Sequence, residues 1–147
     1  MFELQHSVDV NASPARVWEL LSDYGALASW FADADHSRLI TAAPVGVGSE
    51  RRVSLDGFTL IERIVTWEPR QRLTYDVQGL PPVIKGARSD WQLEDRGDGT
   101  TRVSLTMQTV PAAGPVGALL YRVAIRKIMS GRAEALVDGL KRAVEGA

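Results

Sequence analysis

The segment that most restricts the fold lies at the end of the chain, between Pro115 and Glu145. It contains no further proline, and its larger apolar residues recur at helical spacing: Leu120, Tyr121, Ile125, Ile128, Met129, Leu136, Leu140 and Val144. This spacing predicts one long amphipathic helix. A helix with so wide an apolar stripe must bury it, so the rest of the chain has to supply a large apolar surface.

Alternating segments earlier in the chain predict that surface. From Phe2 to Val10 apolar and polar residues alternate, as in a strand with one buried face. Further strands are predicted at 37–43, 50–55, 58–68, 72–77, 87–93 and 102–108. Turn signals separate them, and Asp56-Gly57 is the strongest because this dipeptide tolerates the positive φ of a tight hairpin. The prediction is a seven-stranded antiparallel sheet.

Two short helices are predicted after the first strand. Ser13 can cap a helix and Pro14 suits its first turn, so a helix is expected from there to about Asp23. Tyr24-Gly25 interrupts it before a second apolar segment at 26–31. The predicted class is α+β, with a seven-stranded curved antiparallel sheet around a long C-terminal helix.

Composition limits the functions to consider. The 147 residues contain no linker-like stretch, so one domain is expected over 1–147. The 17 basic and 18 acidic side chains give a net charge of −1, so nucleic acid is not an expected partner. With no cysteine and two histidines, no metal site and no cofactor are predicted.

The N-terminal residues carry neither the basic start nor the continuous apolar run of a secretion signal, so a cytoplasmic location is expected. The longest apolar-rich stretch, Pro115 to Ile125, is interrupted by Arg122. It is also shorter than the roughly 20 apolar residues that a membrane span needs. No transmembrane segment is predicted.

His6 and Arg132 are the polar candidates for a ligand site. His6 shares the apolar parity of the first strand, so its imidazole is expected to point inward. There it could donate a hydrogen bond to a ligand or act as an acid or base near neutral pH. A hydrogen-bonded structural histidine is the alternative. Arg132 lies at the edge of the apolar stripe and could meet a ligand oxygen, extend to solvent or pair with a carboxylate of the sheet.

Aromatic and apolar residues are predicted to line an internal cavity. Aromatic rings provide flat walls with polar edges, which suit apolar ligands, although large aromatics also fill ordinary cores. The predicted lining comprises Trp30, Tyr75, Trp91, Met107, Tyr121, Ile125 and Ile128, together with His6 and Arg132. Alternation is ambiguous over 59–67, so the facing of Glu62 and Arg63 stays open. No paired nucleophile and base stands out, and the catalytic residues are unknown.

Several phrases of the sequence resemble one superfamily. The opening phrase runs from a strand through a proline cap into a Val-Trp helix, from Val8 to Trp18. Ile64-Val-Thr-Trp-Glu-Pro69 and Arg72-Leu-Thr-Tyr75 are similar to the superfamily's central hairpin, and Trp91-Gln-Leu93 with Gly99-Thr-Thr-Arg-Val103 to its last one. The chain thus resembles the START or SRPBCC superfamily, which includes lipid-transfer domains, polyketide cyclases, coenzyme Q-binding proteins and the birch pollen allergen.

This resemblance implies the helix-grip fold, in which the sheet wraps around the last helix and leaves an apolar cavity. It implies binding or transport of a small hydrophobic molecule, such as a lipid, a quinone or a polyketide-like aromatic. A polyketide cyclase or aromatase using His6 or Arg132 is a second interpretation, so it stays open whether the chain is an enzyme. A third is a toxin of a toxin-antitoxin pair that acts through a protein partner, because Gly114-Pro115-Val116-Gly117 is similar to a bacterial subgroup of that kind.

Overall fold

A computed structural model describes residues 1–146. Its strands are β1 Phe2–Val10, β2 Ala34–Leu39, β3 Glu50–Leu55, β4 Phe58–Glu68, β5 Arg72–Gln78, β6 Ile84–Asp95 and β7 Thr101–Pro111. Its α-helices are α1 Pro14–Ser22, α2 Gly114–Leu120 and α3 Arg126–Glu145. A 3₁₀ helix, Tyr24–Ser29, follows α1, and a π-helical turn, Tyr121–Ile125, joins α2 to α3.

The seven strands form one antiparallel sheet in the order β1-β7-β6-β5-β4-β3-β2. From β2 to β7 neighbours in the chain are also neighbours in the sheet, and β1 pairs with β7 at the far edge. α3 packs against β1 and β7, and its Leu136, Val137 and Leu140 are buried there. This is the predicted helix-grip architecture, with a curved sheet, a long C-terminal helix and two short helices after the first strand.

The C-terminal segment is helical from Gly114 to Glu145, as predicted, and a π-helical turn interrupts its α-helical hydrogen bonding. The π-helical turn spaces hydrogen-bonded residues five apart instead of four, so it changes which side chains share a face. Leu120 and Ile128 are exposed although they were counted in the buried stripe. Within residues 1–146, no helix is both long and apolar enough to cross a bilayer.

The strand boundaries differ from the sequence prediction most in β2 and β6. β2 spans Ala34–Leu39 instead of 37–43, and within it the Ser37 hydroxyl accepts from the Ala28 amide at 2.8 Å and donates to the Gly25 carbonyl at 2.9 Å. These bonds hold the strand against the 3₁₀ helix. β6 begins at Ile84 instead of about 87, because the Ile84 amide closes a turn onto the Pro81 carbonyl at 2.9 Å. Neither the Ser37 hydrogen bonds nor the turn at Ile84 can be recognised from the spacing of apolar residues.

A β-bulge in β4 determines the facing of the residues that alternation left open. The register against β5 shifts between Ile64 and Thr66, which leaves the exposed Val65 without a paired residue. Residues on both sides of a bulge of this kind can face the same side of the sheet. Glu62 and Ile64 are therefore buried before it, and Trp67 packs against Trp18 after it, with the rings 5.0 Å apart.

Candidate functional site

A cavity of about 320 Å³ lies between the inner face of the sheet and the C-terminal helix. Its lining is mostly apolar and includes Leu27, Val53, Leu60, Val77, Val83 and Leu136. Pockets that hold small ligands in proteins measure about 300–1,000 Å³ and are also mostly apolar. The cavity therefore has the dimensions and surface of a site for a small apolar molecule.

Small residues on β6 leave this space open. Ala87 and Ser89 face the cavity from β6, directly beside Val77 and Tyr75 of β5. The methyl group of Ala87 and the hydroxymethyl group of Ser89 fill much less volume than the indole of Trp91, which has the same parity on this strand. The small side chains at these positions of β6, close to the middle of the sheet, thus determine where the cavity lies.

A buried ion pair, Arg51 with Glu62, lies at one end of the cavity. The two residues face each other across the β3–β4 hairpin, and Nε of Arg51 donates to Oε1 of Glu62 at 2.7 Å. Nη1 of Arg51 donates to the Tyr24 carbonyl oxygen at 3.0 Å. The guanidinium carbon lies 4.0 Å from the centre of the Tyr24 ring and 4.7 Å from that of Tyr75. These contacts provide the pairing that a buried charge requires.

The same surroundings fix the protonation of three groups. Burial by itself would lower the pKa of Arg51. The negative charge of Glu62, the neighbouring phenols of Tyr24 and Tyr75 and the hydrogen bond to Glu62 together outweigh this effect, so the net shift is upward. Burial raises the pKa of Tyr24 and of Tyr75. At physiological pH the guanidinium is therefore a cation and both phenols are neutral.

Glu62, Tyr75 and Ser89 bring polar atoms to the cavity wall, while Arg51 lies outside the lining. Oε2 of Glu62 makes no hydrogen bond within residues 1–146, so it can accept one from a ligand. The Tyr75 hydroxyl accepts from Nε1 of Trp91 at 3.2 Å. The cavity thus combines an apolar body with a carboxylate oxygen and two hydroxyls at one end.

Arg132 lines the cavity together with the exposed residues Asp56 and Ile128, where the cavity reaches the protein surface. Its Nη1 donates to Oδ2 of Asp33 at 2.9 Å, and its Nη2 contacts the carboxylate of Asp56. Asp33 precedes β2, and Asp56 belongs to the β3–β4 turn, so the guanidinium connects α3 to two separate loops. Pairing with a carboxylate of the sheet was one of the alternatives for this residue. Arg132 does pair with carboxylates, but both belong to loops that flank β2 and β3.

Five of the nine residues predicted for the site line the cavity: Tyr75, Met107, Ile125, Ile128 and Arg132. The structure places Trp30, Trp91 and Tyr121 outside it. Trp91 lies between Tyr75 and Trp30, with its ring 6.1 Å from that of Trp30. Tyr121 stacks on Phe2 at 4.4 Å. Trp91 is a core residue outside the cavity because strand parity gives the side of the sheet but not the position of the hollow along it. Trp30 follows the 3₁₀ helix and Tyr121 begins the π-helical turn, so strand parity says nothing about them.

His6 also lies outside the cavity. Its Nε2 is 3.8 Å from Oδ1 of Asp138, and about a third of its side chain is exposed. β1 is an edge strand whose inner face is covered by α3, so an inward residue there meets the helix. No group of three or more His, Asp or Glu residues within 1–146 is arranged to hold a metal ion.

The sequence analysis left the facing of Glu62 open and did not single out its partner Arg51, although a signal for the pair exists. The two-residue turn Asp56-Gly57 fixes the hairpin register, which pairs Leu55 with Phe58 and consequently Arg51 with Glu62. Arg51 also has the same parity as Val53 and Leu55. Opposite charges facing each other among buried positions would have indicated the pair.

Family membership follows from a match over nearly the whole chain. The model of the family described as polyketide cyclase/dehydrase and lipid transport matches residues 1–145. The chain belongs to this family. No sequence among the curated proteins gives a match. The family description covers both enzymes and carriers, so membership by itself does not separate the two.

Solved structures share the fold of this family member. The di-domain aromatase/cyclase BexL of the BE-7585A pathway has a TM-score of 0.81 at 18% identity, covering 99% of this chain and 47% of that one. The Zhui aromatase/cyclase from Streptomyces sp. R1128 has 0.73 at 18%, covering 97% and 95%. A START superfamily protein from Mycobacterium smegmatis has 0.78 at 16%, covering 98% and 97%. At such identities the likeness concerns the fold.

Proposed function

We propose that the protein binds and carries a small apolar molecule that has a hydrogen-bond donor, such as a phenol or an alcohol, at one end. The observation that supports this most directly is Glu62, which lines a mostly apolar cavity and whose Oε2 atom makes no hydrogen bond in residues 1–146. A carboxylate oxygen with a free acceptor position can take a hydrogen bond from a ligand, and hydrogen bonds to charged groups are stronger than those between neutral groups.

The volume narrows the class of ligand. At about 320 Å³ the cavity is near the lower limit of ligand pockets. This size favours a compact molecule of a few rings or one short chain over a lipid with two long acyl chains. The apolar body would contact Val53, Leu60 and Leu136, while its donor group would reach Glu62.

Filling the cavity is expected to abolish binding. In Ala87→Phe the new ring would extend from β6 into the hollow, so the neutral fluorescent probe N-phenyl-1-naphthylamine should no longer bind. Glu94→Phe is the matched control, because Glu94 is exposed on the same strand. Fluorescence titration measures both affinities. Equal affinity of the two variants and the wild type would mean that the probe binds elsewhere and the cavity is not the site.

The donor requirement has its own test. 2-Naphthol and 2-methylnaphthalene have similar size and shape, but only the first can donate to Glu62. We expect 2-naphthol to displace the probe at a concentration at least about tenfold lower, as one hydrogen bond to a charged acceptor contributes roughly 1.5–3 kcal/mol. Equal displacement by the two compounds would mean that the site is purely apolar and that Glu62 does not contribute to ligand recognition. Native mass spectrometry of the purified protein would identify a natural ligand directly.

Loss of the contacts at the opening is expected to accelerate ligand release. Arg132→Met removes the bonds to Asp33 and Asp56, so the two loops are freer to separate. The free energy of unfolding should fall by less than about 1 kcal/mol, because pairs this accessible to solvent contribute little. Stopped-flow dissociation of the probe measures the rate, with the exposed Arg142→Met as control. An unchanged rate would show that the ligand leaves by another path.

A cyclase is the second candidate, favoured by the hydroxyls of Tyr75 and Ser89 beside the Glu62 carboxylate. A cavity that holds a flexible chain in a folded conformation can promote ring closure by positioning alone, with polar groups assisting proton transfer. Incubation with a linear poly-β-ketone thioester tests this role. Formation of a cyclised product, lost in Ala87→Phe, would support it. Binding without conversion would support the carrier.

A further inference from the structure

An apolar surface beside the opening of the cavity has no partner within residues 1–146. This surface, called the docking face below, consists of Val116, Leu119, Leu120, Val123 and Ile128. Between 40% and 76% of each residue is exposed. Isolated apolar residues at a surface are ordinary, whereas a contiguous group indicates a contact with another body.

Helix geometry places these side chains on one side of the segment. Val116, Leu119, Leu120 and Val123 have the spacing i, i+3, i+4 and i+7, which is one face of an α-helix. Ile128 is five residues after Val123, a spacing that the π-helical turn between α2 and α3 accommodates. The turn therefore extends the docking face toward the cavity opening.

Positive charge accompanies the docking face. Arg122, Arg126 and Lys127 lie within it or next to it, and no acidic residue occurs between Gly114 and Ala133. All three are exposed, and in the part of the chain that the structure describes none forms an ion pair. The guanidinium of Arg122 lies 5.5 Å from the centre of the Phe2 ring, which holds it beside the apolar residues. A chain of net charge −1 thus has a local basic and apolar surface.

We propose that the docking face binds the surface of an anionic lipid bilayer. Amphipathic helices rich in arginine and lysine insert their apolar side chains at the level of the lipid headgroups, while the cations are attracted to anionic lipids. A second copy of the chain fits this face less well. A two-fold dimer would bring Arg122, Arg126 and Lys127 of both copies together, and like charges repel.

The position of the docking face links it to the cavity. Ile125, Ile128 and Met129 line the cavity from the same helical segment, and Ile128 also belongs to the docking face. Docking would therefore bring the opening to the bilayer, so that an apolar ligand could pass between membrane and cavity without crossing water. This last step depends on the proposed carrier function, whereas bilayer binding does not.

Vesicle flotation tests the apolar part of the docking face. The wild-type chain should float with vesicles of phosphatidylcholine containing phosphatidylglycerol, and Val123→Asp should weaken binding at least about tenfold, since a charge replaces a residue that inserts. Val123 is 76% exposed, so the variant should fold normally, which circular dichroism and thermal unfolding can verify. Val47→Asp is the matched control. Val47 is 70% exposed and lies in the loop before β3, at the end of β3 opposite to the Asp56 turn.

The charged part is tested separately. Replacing Arg122, Arg126 and Lys127 together by Gln should weaken binding to the anionic vesicles at least about tenfold, because each basic residue contributes on the order of 1 kcal/mol near such a surface. The control replaces Arg16, Arg96 and Arg102 by Gln, which removes as much charge elsewhere. Vesicles of phosphatidylcholine alone should bind the wild type much more weakly.

Three results would overturn the proposal. The first is absence of binding to anionic vesicles, and the second is equal binding of Val123→Asp and the wild type. The third is a concentration-dependent dimer in analytical ultracentrifugation that Val123→Asp abolishes, which would assign the face to a second copy. Probe binding in solution remains the separate test of the cavity. Retained probe binding without vesicle binding would therefore refute docking and leave the carrier function intact.

Discussion

Replacing Arg51 with Met is expected to lower the free energy of unfolding by about 3–5 kcal/mol, the usual cost of removing one partner from a buried ion pair. Met has a similar length, so the space stays filled, but the Glu62 carboxylate loses its donor inside the protein. The stacking of the guanidinium on Tyr24 and Tyr75 disappears as well. Urea-induced unfolding at neutral pH measures the loss.

Two further variants make this test specific. Arg52→Met changes the adjacent, partly exposed arginine of β3 and should alter the stability by less than about 0.5 kcal/mol. The double variant Arg51→Met with Glu62→Met should be more stable than Arg51→Met alone, because no unpaired charge stays buried. If the double variant is less stable than Arg51→Met, the loss of stability in Arg51→Met comes from altered packing and not from the unpaired Glu62 carboxylate.

Truncation of Trp91 to Ala is the second large effect, with an expected loss of about 3–5 kcal/mol. The side chain is 1% exposed, donates to the Tyr75 hydroxyl at 3.2 Å and packs against Trp30. Its removal leaves a void beside the cavity. It also removes the hydrogen bond to the hydroxyl of Tyr75, a residue of the cavity wall. Thermal or urea unfolding measures the change in stability.

Trp91→Phe separates structure from ligand contact. Phe keeps much of the ring packing but cannot donate to Tyr75, so a loss of roughly 1 kcal/mol is expected for the hydrogen bond. Since Trp91 does not line the cavity, the affinity for N-phenyl-1-naphthylamine should stay unchanged. A large fall in affinity at nearly constant stability would instead make Trp91 part of the binding wall.

Most of the fold could be predicted because its signals are local. Alternation identified the strand faces, and Asp56-Gly57 adopts the two successive positive φ angles, 51° and 79°, of a tight hairpin turn. Apart from the bounds of β2 and β6, the differences occur where one residue changes the period. The bulge at Val65 and the π-helical turn at Tyr121–Ile125 each insert one position, and a regular pattern cannot represent that.

The site was harder to predict because it depends on long-range geometry. Tyr75 and Trp91 are both inward on adjacent strands, yet only Tyr75 lines the cavity. The difference arises from what packs beside each residue. Trp91 is in contact with Trp30, whose carbonyl oxygen would lie 2.8 Å from a Cβ atom added at Gly139, so α3 is tightly packed there. Near Ile125 and Met129 the same helical segment lines the cavity instead. Strand parity contains no information about this packing.

The strand order has a consequence for the behaviour of the protein at high concentration. β1 and β2 form the two edges of the sheet, and the unpaired backbone of an edge can recruit a strand from another molecule. β2 exposes Asp35, His36 and Arg38 and has a register shift after Ala34, while β1 exposes Glu3 and Asp9. Charges and irregular pairing at both edges oppose the addition of an eighth strand, so intermolecular sheet growth and the aggregates that it produces are disfavoured.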